Sequence, residues 1–184
     1  MSMGKTELEI KIYGSAVLRG KAAAVKAPEA RHRELLSAMA RFMYGHSGIG
    51  LAAPQIGVGE SLIVVDIGTG LYKLINPRII RREGAQAIEE GCLSLPGVSV
   101  KVKRARKIIL KALDHEFNTV TVTAEGLLAC VFQHEIDHLK GRMIIDYASL
   151  LNKVRLKKKL AALYRRAGNE DMRESGTEQR KLRL

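Results

Sequence analysis

Five short β-rich runs, Ser61 to Ile67, Tyr72 to Ile75, Val98 to Val102, Ile108 to Asp114 and Thr119 to Thr123, lie in the middle of the chain, mostly separated by Gly or polar residues. They predict a largely antiparallel set of strands. Around them the spacing changes to that of helices. Leu35, Leu36, Met39, Phe42 and Met43 share one face of a helix near 29–44. The proline-free run Glu125-Gly126-Leu127-Leu128-Ala129-Cys130-Val131-Phe132 opens a buried helix near 125–140, with Gly141 as its natural stop. Leu156, Leu160, Leu163 and Tyr164 form an apolar stripe on a third helix near 149–166. Strands clustered between helices indicate an α+β fold, with mostly antiparallel sheets packed around the central helix and a C-terminal helix beyond.

With 184 residues, 46% of them hydrophobic, the chain can bury a real core as one domain. Residues 1–166 are expected to form it, and the polar residues 167–184 to be a disordered tail. Tryptophan is absent, so Val, Ile, Leu and Ala must fill the core. Met1 to Glu7 contain no long apolar run, which argues against a secretory signal, and no window is long enough to span a bilayer. A soluble, cytoplasmic protein is the expectation.

The formal charge of +12 is local. Residues 101–111 hold six Lys or Arg and residues 153–166 hold seven, with no acid in either stretch, while the rest of the chain is near balance. The second stretch is either a solvated surface helix or a surface for a polyanion.

His134-Glu135-Ile136-Asp137-His138 changes the picture further. Two histidines four residues apart share a helix face and can reach one metal ion, with the intervening glutamate beside a metal-bound water. The alternative is a pair of hydrogen-bonded core histidines. A metal needs a third ligand. In one class of zinc peptidases it is a histidine six residues after the second of the pair, where this chain has Ile144. A second class takes a glutamate from a later helix, and here Glu170 and Glu174 fall in the polar tail. A peptidase therefore lacks its ligand on both patterns. An RNA-binding protein with a structural metal is the other rival, and it leaves Glu135 without a role.

Cys92 sits in the irregular segment Glu90-Gly91-Cys92-Leu93-Ser94-Leu95-Pro96-Gly97, where backbone N–H groups can face a ligand. It is the candidate third ligand, against the alternative of a free buried thiol. Cys130 is rejected, because eight residues of helix separate it from His138 by about 12 Å. A disulfide between Cys92 and Cys130 would abolish the site. The segment Gly48-Ile49-Gly50-Leu51-Ala52-Ala53-Pro54-Gln55 fits a dinucleotide fingerprint on paper, but it follows a helix, and Pro54 discourages another. It reads either as a Gly-rich turn or as an extended ledge for a peptide backbone, with Gln55 offering an amide donor.

Gly48 to Gln55, Glu90 to Ser94 and His134 to His138, in this order, resemble the three signature motifs of the peptide deformylases. Ile12-Tyr13-Gly14, Val17-Leu18-Arg19 and Gly141 to Tyr147 are also similar, so the resemblance covers roughly residues 8–165. It implies a hydrolase that removes the formyl group from the N-terminal formyl-methionine of new polypeptides, releasing formate. Cys92, His134 and His138 would hold a divalent metal with water at the fourth position. Glu135 would be general base and then general acid, and Gln55 and the Leu93 N–H would stabilise charge on the formyl oxygen. Ile49, Gly50, Glu90, Leu127, Cys130 and Val131 are the expected substrate-binding residues, although the last three of these equally suit core packing. The resemblance also pairs Glu90 with a downstream arginine, here assigned to Arg104. Cys-His-His ligation accepts iron(II), zinc, nickel or cobalt; the resemblance suggests Fe²⁺. Deformylases act on chains leaving the ribosome, so the basic helix 153–166 is either a solvated surface element or a contact for ribosomal RNA.

Overall fold

A computed structural model describes residues 8–181, with side chains through Asn169. Met1 to Glu7, and with them the reading of the amino terminus, lie outside the described residues. In chain order the elements are helix α1 (Ala30–Gly45), strands β1 (Gly50–Ala52), β2 (Leu62–Val65), β3 (Tyr72–Glu83), β4 (Gln86–Glu90), β5 (Val100–Arg104), β6 (Lys107–Leu113) and β7 (Thr119–Glu125), and helices α2 (Gly126–His138) and α3 (Leu150–Lys181). Five strands form one sheet in the order β1-β2-β3-β6-β7, and β4 with β5 forms a second. The pairings between these strands are antiparallel, and a single parallel bridge joins Ala23 to Glu60 outside them.

β2 shows why the molecule has layers. All four of its residues are buried, because Ile63 and Val65 face α2 while Leu62 and Val64 face α1. A strand covered on both faces reads as a continuous apolar run rather than an alternating one. α1 contributes Leu36, Met39 and Met43 to its side, and α2 contributes Ala129, Phe132 and Ile136 to the other. Phe132 is fully buried and meets Tyr72 edge-on at 5.2 Å; burying such a ring stabilises by up to about 3 kcal/mol. α2 is therefore the central helix.

It stops where a backbone leaves no room for a side chain. Gly141 has φ +69°, and a Cβ there would lie 2.4 Å from the Arg19 carbonyl oxygen. The chain turns and packs Met143, Ile144 and Ile145 against Leu95 and Val98 of the loop between β4 and β5 and Val100 and Val102 of the small sheet, with Leu163 of α3 closing the same cluster.

Two strands had no signal in the β-rich runs. β1 is three residues within a Gly-rich segment, and β4 is half-exposed with two acids in five residues. β3 is also far longer than Tyr72 to Ile75. Its register shifts between Ile75 and Arg78, which takes in Pro77, and again between Ile79 and Arg81; such bulges break the alternation that marks a strand. α3 runs to Lys181, so residues 167–181, expected to be a disordered tail, continue the helix instead. No proline interrupts them, and Glu, Arg, Gln and Lys favour helix even without an apolar stripe. Leu163 and Ala167 are buried and Leu156 and Leu160 partly so, but Tyr164 leaves the predicted stripe and is 62% exposed. Among the described residues no helix is long and apolar enough to cross a membrane.

Candidate metal centre and active site

The four-residue spacing on α2 places the His134 and His138 rings 4.9 Å apart, with their Nε2 atoms 3.2 Å from each other. Cys92 arrives from the other side. It follows β4 in a turn closed by the Leu95 N–H donating to the Cys92 carbonyl at 2.9 Å, and its Sγ lies 3.3 Å from His138 Nε2. Cys92 and Cys130 are both free thiols, so the disulfide that would abolish the site is absent.

This donor set fits one cation. Tetrahedral bonds of about 2.0 to 2.3 Å separate donor atoms by about 3.3 to 3.7 Å, close to the 3.3 and 3.2 Å from His138 Nε2 to Cys92 and to His134, with all three donors within 4.8 Å of one another. The Glu90 carboxylate accepts from His134 Nδ1 at 2.8 Å, which leaves Nε2 as the ring atom turned towards His138. Burial opposes charge on both rings. Cys92 and Glu90 outweigh it at His134, whose pKa is raised well above the ordinary value; at His138 burial and the neighbouring His134 together push it well below. Two buried nitrogens and a sulfur facing one point call for a single positive charge between them. The second ring is less constrained, because His138 Nδ1 has no hydrogen-bond partner among the described residues.

Glu135 is buried beside this centre, and burial pushes its carboxyl up to about 7. Its Oε2 has no hydrogen-bond partner among the described residues. The carboxylate reaches its place because Gly50 of β1 has no side chain: a Cβ there would lie 2.3 Å from Glu135 Oε1 and 2.9 Å from Val131 Cγ1. Gln55 is buried in the short 3-10 turn Ala53–Ile56. The Ala52 N–H donates to its Oε1 at 2.8 Å, which aims Nε2 at Ser94 Oγ, 3.3 Å away, and at Cys92 Sγ, 3.6 Å away.

A cavity of about 490 Å³ opens onto these groups. One wall is Ser47 to Gly50, the other is Ile88 to Leu93 with Pro96 and Gly97, and the floor is Leu127, Cys130, Val131, His134 and Glu135 of α2. Every substrate-binding candidate from the sequence borders it. Glu90 does so as a support, since its carboxylate is taken up by His134 and by Arg104, whose Nε and Nη2 donate at 2.7 and 2.9 Å. Arg104 is thus the arginine that pairs with Glu90. Burial opposes the Glu90 charge, but Arg104 and then His134 outweigh it and hold the carboxyl below the usual carboxylate range.

Sequence reasoning missed several supports. Arg104 Nη1 also donates to Asp137 Oδ2. Gln86 Nε2 donates to Cys130 Sγ at 3.1 Å, and Gln133 clasps the Ala105 N–H and carbonyl, both at 3.0 Å. Gln133 precedes the histidine pair directly, yet nothing in its spacing pointed to Ala105.

The sequence model of the polypeptide deformylases matches residues 7–154. The chain belongs to this family. It is 50% identical to the peptide deformylase of Syntrophomonas wolfei over 132 residues, which is 72% of this chain and 87% of that one. The Halothermothrix orenii peptide deformylase is 49% identical over 141 residues, 76% of this chain and 92% of its own. Among solved structures, the Thermus thermophilus peptide deformylase superposes with a TM-score of 0.82 at 36% identity, covering 86% of this chain and 98% of that chain. A deformylase from Legionella pneumophila gives 0.80 at 38% identity, covering 86% of this chain and 95% of its own. This chain therefore has the deformylase fold.

Two outcomes test how this deformylase site is built. Gly50→Ala should keep the fold, as read by circular dichroism, but move the Glu135 carboxylate and lower formate release about 100-fold. Arg104→Met leaves Glu90 and Asp137 without their buried cation and should cost about 3–5 kcal/mol in denaturant unfolding at pH 7. In the wild type Glu90 has a lowered pKa, so its contribution is present above the ordinary carboxylate pKa and is lost as pH falls through the folded value. In the variant burial acts with less opposition and raises that pKa. The gap between the two proteins should therefore narrow from pH 7 to pH 4, and a constant gap would contradict the assignment.

Proposed function

We propose that Cys92, His134 and His138 hold one divalent cation in this deformylase, and that Glu135, Gln55 and the Leu93 N–H perform the hydrolysis beside it. The reaction removes the formyl group from the N-terminal methionine of a nascent polypeptide and releases formate. The observation that carries the assignment of roles is the convergence of three donor atoms within 4.8 Å of one another at the floor of a cavity that also holds a buried carboxylate.

Bound there, a cation supplies Lewis acidity, lowering the pKa of a water molecule towards neutrality and polarising the formyl carbonyl. Glu135 takes a proton from water as oxygen adds to the formyl carbon, then delivers it to the departing nitrogen as the carbon–nitrogen bond breaks. Its raised pKa suits both duties, because the carboxyl can hold a proton and release it near neutral pH. Negative charge grows on the formyl oxygen during addition. The Gln55 amide, already fixed by the Ala52 N–H, and the Leu93 N–H, which meets no backbone carbonyl among the described residues, donate to it. Each such donor contributes about 3 kcal/mol in the transition state.

Substrate placement follows from the two sheets. β1 is an outer strand of the large sheet and β4 a strand of the small one, and the cavity lies between them. An extended peptide can add to these edges through its backbone, with Ile49 and Gly50 alongside. The methionine side chain then rests on Leu127, Cys130 and Val131. Fe²⁺ is the proposed native ion; zinc, nickel and cobalt satisfy the same borderline donor set.

The deciding assay is formate release from a formyl-methionyl peptide by protein purified without oxygen. Glu135→Ala should lower turnover by about 10²- to 10⁴-fold while one equivalent of metal stays bound. Full activity in that variant would remove Glu135 from the mechanism.

The finer partner reading is contact between α3 and ribosomal RNA in the cytoplasm. Lys153, Arg155, Lys157 and Lys158 are exposed, whereas the Lys159 ammonium donates to the Gly97 carbonyl at the cavity rim. Clustered cations of this kind attract phosphate. Lys153, Lys157 and Lys158 replaced together by Glu should abolish co-sedimentation with ribosomes and leave peptide deformylation unchanged; retained binding would count against the contact.

A further inference from the structure

The buried pairing of Glu90 with Arg104 does not end at the guanidinium. Arg104 faces two carboxylates at once, Glu90 through Nε and Nη2 and Asp137 through Nη1. All three side chains are nearly buried, with 8% of Glu90, 4% of Arg104 and 13% of Asp137 exposed. One cation between two buried anions leaves a negative charge that a further donor must offset. Tyr147 is that donor. It ends the short 3-10 turn Ile144–Tyr147, its hydroxyl donates to Asp137 Oδ2 at 2.7 Å, and its ring lies 5.0 Å from the Arg104 guanidinium carbon.

We infer that Tyr147, acting through Asp137 and Arg104, is a positioning residue that fixes the ring of His134. The argument turns on competition for Arg104. Glu90 can hold His134 Nδ1 at 2.8 Å only while its carboxylate is itself held by the guanidinium. With the Tyr147 hydroxyl in place, Asp137 Oδ2 has a second donor and makes a smaller claim on Arg104. Without it, Asp137 draws the guanidinium off Glu90, the carboxylate loosens, and the imidazole loses the contact that sets its angle. Partners of metal-binding histidines act in this way generally. Here the chain of contacts reaches a side chain that is 39% exposed and lies outside the cavity lining.

The inference rests on the proposed cation site, so its test separates the two. Tyr147→Phe keeps the ring against Arg104 and removes only the hydroxyl. Asp137→Asn keeps the side-chain size and weakens the hold on Arg104. Cobalt(II) is titrated into cation-free protein against a competing chelator, following the thiolate charge-transfer band and the d–d bands. Tyr147→Phe should bind Co²⁺ about tenfold more weakly than wild type, with altered d–d bands, a lower kcat and an unchanged KM, whereas Asp137→Asn, which lessens the competing claim on Arg104, should not weaken Co²⁺ binding. The double variant should be no weaker than Asp137→Asn alone, because the hydroxyl acts through that carboxylate. Wild-type affinity and spectrum in Tyr147→Phe overturn the inference, as does an additive loss in the double variant. If the wild type shows no thiolate band, the cation site itself is wrong and the inference falls with it.

Discussion

The guanidinium of Arg104 ties together three parts of the chain that would otherwise be independent. It belongs to β5, it grips Glu90 at the end of β4, and it reaches Asp137 on α2. Glu90 stands two residues before Cys92, and Asp137 lies between the two histidines in sequence. The loop bearing the sulfur and the helix bearing the imidazoles are therefore referred to one buried positive charge. Separated ions at this depth are far costlier than paired ones, so the arrangement is strongly specified once the chain compacts. Specification of this kind matters more at a metal centre than net stability, because donor atoms must hold their distances to within a few tenths of an ångström.

A second constraint is spatial. Glu135 can stand beside the donor atoms because β1 offers a glycine where it crosses the helix, and β1 is located by its ladder to β2, with Gly50 opposite Val65. β2 is in turn packed on both faces. Thus the most buried strand of the core sets the position of the least bulky residue of the site. The same packing deprives the carboxylate of water and partners, and this is why its pKa rises. Stability and reactivity come from one burial event.

These relations explain what could be read in advance. The two histidines and Glu135 were legible because their relation is local and periodic, four residues on one helix. Cys92 and Gln55 stood in Gly- and Pro-marked segments, and the order of the motifs joined them. The fold class followed from runs of β-rich residues between helical ones. By contrast, Asp137, Tyr147, Gln86 and Gln133 act across element boundaries, with no spacing to announce them. Asp137 also stood inside the motif, where its neighbours drew attention away from it. β3 was cut short for a related reason: its bulges and its arginines follow from curvature and a solvent face, which a linear pattern does not encode.

The basic helix belongs to the same structure as the site. Leu156, Leu160 and Leu163 of α3 pack in the cluster that also takes in Leu95, Val98 and Cys92, so the helix backs the loop that carries the sulfur. Lys159 is drawn to the Gly97 carbonyl, and its neighbours Lys157 and Lys158 turn outward. Seven like charges in fourteen residues repel one another, and a helix composed this way needs an apolar stripe to stay on the core. The stripe fixes which cations face solvent. One helix diameter, about 10 Å, then separates that charged face from the Cys92 loop. A polyanion bound to α3 would consequently lie close to the cavity in which the amino terminus of a nascent chain is deformylated.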